Sequence, residues 1–237
     1  PTTWRQGLRV YLAGYSLTPT PGNLGEAARG LLMRPQPLPT ATSVAVFAAE
    51  RWQDLLGLVL LALPAFAWAP FELPWPVVLV LGLLVLTLMW LSAQNRAWRG
   101  VLRLVPEKVQ RVLGLVQAQQ CLQHRPGLTW GLTGLAWSAQ GLAVWLMCRH
   151  HALPIDILQA SAAYCLSMVA GALTALPAGL GGTEASLVGL LSQQGVSTAL
   201  ALVVTLQVRL LTLWLAVAIG LLMLVYGWRV DSPRSVS

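Results

Sequence analysis

The sequence predicts an all-α integral membrane protein, a polytopic helical bundle with two hairpins that proline and glycine interrupt. Hydrophobic residues make up 56% of the 237 residues and charged residues only 10%, a balance outside that of soluble domains. No charge occurs from Ile157 to Thr183 or from Ala185 to Val208, and each stretch can cross a hydrocarbon core of roughly 30 Å. Between them, Pro177 to Glu184 contains a helix breaker, three glycines and a carboxylate.

A break of this kind predicts a site, because backbone that leaves a helix in lipid survives only where protein or a water-filled cavity lines it. The same pattern of a proline, glycines and a glutamate occurs near the start of the chain, where Pro19 precedes Glu26. An offset of 158 residues superimposes a proline, a glutamate and an arginine: Pro19, Glu26 and Arg51 on Pro177, Glu184 and Arg209. Paired interruptions in two halves indicate a transporter-type site near the bilayer midplane, although two unrelated kinks would leave the same pattern. The predicted broken backbone comprises Pro19, Pro21, Gly22, Gly25, Pro177, Gly179, Gly181 and Gly182.

The net charge of +7 does not indicate nucleic-acid binding, because the basic residues lie at the ends of apolar runs, as in membrane-flanking segments. The three cysteines are widely spaced and lack a C-x-x-C pair. We therefore expect no metal site, no disulfide framework and no cofactor.

The first elements in chain order are a broken hairpin over 2–33 and a helix over 40–68. Neither half of the hairpin is long enough to span alone. We expect Glu26 in the first turn of the second half-helix, with Arg29 beside it on the same face. The helix carries Glu50, Arg51 and Asp54 near its centre, where charges are costly and either bind something or form a structural salt bridge.

A span over 77–93 and a connection over 96–125 follow. Six basic residues and one acidic residue lie in that connection, so the positive-inside rule predicts that it is cytoplasmic. Its helical pattern over 107–124 fits a helix on the membrane surface or a linker helix packed on the bundle.

The last elements are a span over 127–148, the second broken hairpin over 157–191 and a final helix over 196–228 that ends in the cytoplasm. Three ordinary spans separate the hairpins, which predicts an inverted repeat. We expect a single transmembrane domain over 1–237, with a first repeat in 1–69, connecting helices in 70–154 and a second repeat in 155–230. The first residue is proline, so we also expect a chain that is incomplete at its N-terminus.

Four stretches carry a family resemblance: Tyr11 to Arg29, Ala49 to Leu56, Leu176 to Glu184, and Arg209. Together they resemble the flippase-like transmembrane domain of lysylphosphatidylglycerol synthases, which also occurs as a stand-alone protein. The resemblance implies a domain of the cell inner membrane that moves lipids between leaflets. The soluble aminoacyl transferase domain of some members is absent from this sequence.

The predicted substrate-binding residues are the ionisable groups of the two repeats: Glu26, Arg29, Glu50, Arg51, Asp54, Glu184 and Arg209. Arginine donors suit a lipid phosphate, and carboxylates can orient the arginines or meet a cationic headgroup. Membrane lipids of anionic phospholipid or polyprenyl type are the expected partners. We expect no enzyme, since no nucleophile–base pair or metal cluster is evident. The alternative is a membrane scaffold that docks a separate lipid-modifying enzyme, and a homo-oligomer remains open.

Overall fold

The computed structural model describes residues 4–32, 40–64, 82, 126–174 and 176–230. Helices joined by short turns account for nearly all of this described part, and no strand occurs in it. The predicted all-α class is therefore confirmed for these ranges. The predicted span over 77–93 and the basic connection over 96–125 lie outside the described residues.

Seven α-helices are described, and we number them in chain order. They are α1 (Trp4–Gly14), α2 (Thr40–Ala62), α3 (Pro126–His150), α4 (Ile157–Leu173), α5 (Gly182–Gln193), α6 (Thr198–Arg209) and α7 (Leu215–Val230).

The chain after α1 forms the first broken segment, which consists of 3₁₀ helices over Tyr15–Leu17 and Pro21–Leu32. The hydroxyl of Thr20 holds the break: it accepts a 2.7 Å hydrogen bond from Gly25 N–H and donates to Leu17 O at 2.8 Å. The prediction of an α-helical second half with Glu26 in its first turn is wrong. Glu26 lies in the middle of a 3₁₀ segment, where a proline and three glycines weaken α-helix formation.

The second broken segment lies between α4 and α5 and contains the 3₁₀ turn Pro177–Gly179. Ala178, Gly179 and Gly181 have positive φ angles of 52°, 65° and 83°, so the chain reverses through left-handed backbone that glycine adopts without strain. Helices α4 and α5 pack closely at Gly171, because a Cβ added at this position would lie 1.9 Å from Thr183 Oγ1. Small residues of this kind let helix backbones approach in membranes.

Helices α6 and α7 form one continuous helical rod, joined by a π-helical turn over Leu210–Trp214. The π turn begins directly after Arg209, and such turns often occur at functional sites. Within the described residues, the stretch Thr198–Tyr226 is the one helix that is both long and apolar enough to cross a membrane; Ile157–Leu173 is apolar but shorter.

The main core lies where α3, α4, α5 and α6 meet, around the fully buried Val144, Tyr164, Leu187 and Val204. Helix α2 packs against α3 and α4. Helix α7 packs against α1 and the Tyr15–Leu17 turn, where Gly220 lies so close that a Cβ would be 2.3 Å from Ser16 N. Both broken segments are thus held against long helices.

Candidate functional site

Glu184 and Arg209 form the second ion pair, named for its place in the second half of the chain. Arg209 Nε donates to Glu184 Oε1 at 2.5 Å, and Gly181 N–H donates to Glu184 Oε2 at 2.6 Å. The other end of the guanidinium donates to the carbonyl of Ala178 at 2.8 Å. One arginine on α6 therefore stabilises both the carboxylate and a buried carbonyl of the broken backbone.

The second ion pair is enclosed. The Arg209 side chain is 4% exposed and the Glu184 side chain 18%. Glu184 also occupies the first turn of α5, where the helix dipole favours negative charge. Each buried charge has an opposite charge and further hydrogen bonds, which is the condition under which buried ions are tolerated.

Five residues of the first half form the first cluster: Glu26, Arg29, Glu50, Arg51 and Asp54. Arg29 reaches from the broken segment to Glu50 on α2 and forms a short ion pair with it. Its Nε donates to the backbone carbonyl of Glu26 at 3.0 Å, so Arg29 does lie beside Glu26, but its guanidinium pairs with Glu50. The side chain of Glu26 is 4% exposed and accepts a 2.7 Å hydrogen bond from Thr18 Oγ1.

Arg51 is shared between two carboxylates of the first cluster. Its terminal nitrogen is 3.0 Å from Asp54 Oδ2 and 3.8 Å from Glu26 Oε2. Asp54 also accepts a 3.2 Å hydrogen bond from Trp137 Nε1 on α3. The Arg51 side chain is 39% exposed, and its covered Nε has no acceptor among the described residues.

The two halves meet at their interruptions, because the 3₁₀ segment Pro21–Leu32 contacts the Pro177–Gly179 turn. Asn23 and Gly181 are 158 residues apart and both have positive φ angles, of 57° and 83°. All seven predicted ionisable residues thus belong either to the first cluster or to the second ion pair. Whether they bind a substrate stays a prediction.

Several contributors could not be found from the sequence. Thr18 and Trp137 hold carboxylates of the first cluster, yet neither has a spacing that indicates this role. Gly14 leaves the space that Arg29 occupies, since a Cβ there would lie 2.2 Å from Arg29 Cδ. In the described ranges, no three His, Cys, Asp or Glu side chains converge as metal ligands.

The fold and the site together define the class of protein, a helical membrane protein that holds ion pairs at two broken helices. Apolar side chains cover the outward faces of α3, α6 and α7, such as Leu132, Leu206 and Leu222, as lipid-facing helices require. The chain belongs to the family described as the lysylphosphatidylglycerol synthase TM region, whose model matches residues 1–220. This match confirms the family resemblance seen in the sequence, and it associates the chain with membranes and their lipids. No curated protein and no solved structure matches the chain.

Proposed function

We propose that this protein translocates a polar lipid headgroup between membrane leaflets, through a site that the two broken segments form. One observation carries the proposal: the segments contact each other, and at each of them a glutamate pairs with an arginine that lies 25 residues further along the chain. Family membership supports a lipid-related role. The protein would act as a transporter without chemical catalysis.

The physical need for such a site comes from the cost of moving a charged headgroup through hydrocarbon. Guanidinium groups offer several donors in a fixed plane to phosphate oxygens. Arg51 is the arginine with capacity for a ligand, because its side chain is 39% exposed. Arg209 is only 4% exposed and donates to Glu184 and Ala178. We assign the headgroup contact to Arg51 and the fixing of the second break to Arg209.

The membrane arrangement that goes with this proposal is a multi-pass domain of the cell inner membrane. The broken hairpins would enter from opposite faces as an inverted repeat, and exchange between the halves would open the site to each leaflet in turn. The acyl chains would stay in the bilayer against the apolar outer faces. The basic 96–125 connection and the C-terminus would lie in the cytoplasm.

The test is exchange of acyl-labelled lipids in proteoliposomes that contain the full-length protein. The label must sit on the acyl chain, since the intact headgroup is what the site contacts. We expect a chemical quencher added outside to reach more label than in protein-free vesicles, and Arg51→Ala to abolish this gain. Zwitterionic, anionic and polyprenyl phosphate lipids should be compared.

A matched control is Arg149→Ala. Arg149 is exposed at the end of α3, where it stacks on Trp145 at 5.2 Å, and its loss should not change exchange. The proposal fails if no lipid exchanges faster than in protein-free vesicles, or if Arg51→Ala, folded as judged by its helicity, exchanges lipid as well as wild type. In the first case the scaffold alternative leads.

A further inference from the structure

The first cluster carries one more negative than positive charge among the described residues. Its three carboxylates, Glu26, Glu50 and Asp54, face two guanidinium groups, Arg29 and Arg51. The second ion pair has one charge of each sign. An uncompensated charge inside a membrane protein is costly, so one additional positive charge would stabilise the first cluster.

Glu26 is the carboxylate of the first cluster that lacks a cation in direct contact within the described part of the chain. Arg29 forms its ion pair with Glu50. The terminal nitrogen of Arg51 is 3.0 Å from Asp54 Oδ2 but 3.8 Å from Glu26 Oε2, which is beyond hydrogen-bond distance. Since the Glu26 side chain is only 4% exposed, water can do little to replace the missing cation. The excess negative charge therefore falls on Glu26.

The corresponding glutamate of the second half is compensated. Glu184 accepts hydrogen bonds from Arg209 Nε at 2.5 Å and from Gly181 N–H at 2.6 Å. Glu26 instead has the neutral hydroxyl of Thr18 at 2.7 Å from its Oε1. A hydroxyl both donates and accepts hydrogen bonds, so Thr18 suits a carboxyl group that changes between its charged and its protonated form.

We propose that the first cluster binds one exchangeable proton, held on Glu26, and that this proton and an anionic lipid headgroup are transported together. The inference rests on the proposed function and adds to it the ion that drives transport. Proton uptake is the way in which an unpaired buried carboxylate loses its charge. A proton bound to Glu26 forms a neutral carboxyl group, which leaves two charges of each sign in the first cluster.

Arg51 links the proton to the headgroup, because one terminal nitrogen faces both Asp54 and Glu26. When Glu26 is ionised, it competes with a lipid phosphate for this guanidinium. When Glu26 is protonated, this competition ends, and the 39% exposed Arg51 side chain can donate to phosphate oxygens. Coupling between two ligands is reciprocal, so a headgroup on Arg51 also favours the proton on Glu26.

The surroundings of Glu26 provide a route for the proton. The titratable groups around it in the described part of the chain come from its own segment, α1, the turn after α1, and α2: Arg29, Tyr11, Tyr15, Glu50, Arg51 and Asp54. The Pro177–Gly179 turn, which packs on the same segment, contains no titratable side chain. Arg51 and Asp54 have side-chain exposures of 39% and 25%, so the buried carboxyl group lies directly beside an opening.

Infrared spectroscopy of the full-length protein detects the proton directly, in an alkyl maltoside detergent that has no carbonyl group. A protonated carboxyl group gives a C=O stretching band that a carboxylate lacks and that shifts in D₂O. At neutral pH we expect this band in wild type and its loss in Glu26→Gln, where glutamine keeps the shape of the protonated side chain. Asp54→Asn balances the first cluster and leaves Arg51 to Glu26, so it should weaken the band. Asp156→Asn changes the exposed N-cap of α4, where asparagine caps equally well, and should keep the band.

A pH gradient tests the coupling in phosphatidylcholine proteoliposomes that contain the full-length protein and a trace of acyl-labelled phosphatidylglycerol. With the outside acidic, a proton and an anionic headgroup that move together carry no net charge inward. Wild type should therefore accumulate the label in the inner leaflet relative to protein-free vesicles, by up to about tenfold for a tenfold proton gradient. Glu26→Gln should show no accumulation, and Asp156→Asn should resemble wild type.

Either experiment can overturn the inference. It fails if wild type lacks the infrared band, if Glu26→Gln or Asp54→Asn keeps the band at full strength, or if wild type exchanges the label without accumulating it. Accumulation by Glu26→Gln equal to that of wild type would contradict it as well. If no lipid exchanges even without a gradient, the proposed function fails instead, and the infrared band still decides whether Glu26 holds a proton.

Discussion

The two halves of this protein place the same three residue types at the same offset but surround them differently. Arg209 is 4% exposed and donates hydrogen bonds to Glu184 and Ala178. Arg51 is 39% exposed, is shared between Glu26 and Asp54, and keeps an unpaired Nε within the described part of the chain. An equivalent sequence position therefore gives a closed structural contact in one half and an open one in the other.

The difference comes from the neighbours of the repeated residues. At the offset of 158, the three additional charges of the first cluster correspond to uncharged residues in the second half: Arg29 to Leu187, Glu50 to Val208 and Asp54 to Thr212. Leu187 and Val208 belong to the buried apolar core. Replacing charges with apolar residues removes the need for solvent or a ligand, so the second half can close around a single ion pair.

The largest expected difference between the two halves is in the stability of the variants Arg209→Met and Arg51→Met. The Arg209 change leaves Glu184 without an opposite charge and the Ala178 carbonyl without its donor, so we expect a loss of about 3–5 kcal/mol in the free energy of unfolding. The Arg51 change affects a side chain that is more than a third exposed, and it should cost about 1 kcal/mol or less. Equilibrium unfolding in mixed micelles, followed by circular dichroism, measures both.

Exchange rates complete this test, because Arg51→Met should lose lipid exchange while it stays folded. The exposed Arg149→Met is the matched control and should resemble wild type in both measurements. Equal stability losses for the Arg209 and Arg51 variants would show that the two arginines do not differ in role.

Gly171→Ala tests the close packing that encloses the second ion pair. A Cβ at this position would lie 1.9 Å from Thr183 Oγ1 and 3.1 Å from Thr183 N, so α4 and α5 must move apart at a cost of about 1–3 kcal/mol. Gly189→Ala is the matched control, since nothing lies within 4 Å of its built Cβ. It should stabilise α5 by up to about 1 kcal/mol. Thermal unfolding in detergent distinguishes the two, and a Gly171→Ala protein as stable as Gly189→Ala would contradict the packing argument.

The sequence predicts the helical class and the two interruptions, and it assigns Glu184 and Arg209 to the candidate site, because proline, glycine and charge are rare in apolar runs. Helix α2 begins at Thr40 as expected, and its described part ends at Ala62, before the predicted end at residue 68.

Other features depend on tertiary contacts that no spacing contains. Sequence proximity favours Arg29 with Glu26, whereas the fold brings α2 against the broken segment and pairs Arg29 with Glu50. Trp137 reaches Asp54 across 83 residues of sequence. The number of membrane spans and the inverted topology stay predictions, as does the division into repeats.

Thr205→Val is expected to have the smallest effect, and it tests whether the second half is purely structural. Thr205 is completely buried on α6, one turn before Arg209, and its Oγ1 has no acceptor within the described residues. Valine has the same shape and removes the desolvated hydroxyl, so stability should rise by about 1 kcal/mol. Thr212→Val is the control. Thr212 Oγ1 donates to Val208 O at 2.9 Å, so loss of this hydroxyl should not raise the free energy of unfolding.

If Thr205→Val is more stable but exchanges lipid more slowly, the hydroxyl of Thr205 serves transport and the second half is not a passive support. Unchanged exchange would leave the first cluster as the half that meets the lipid.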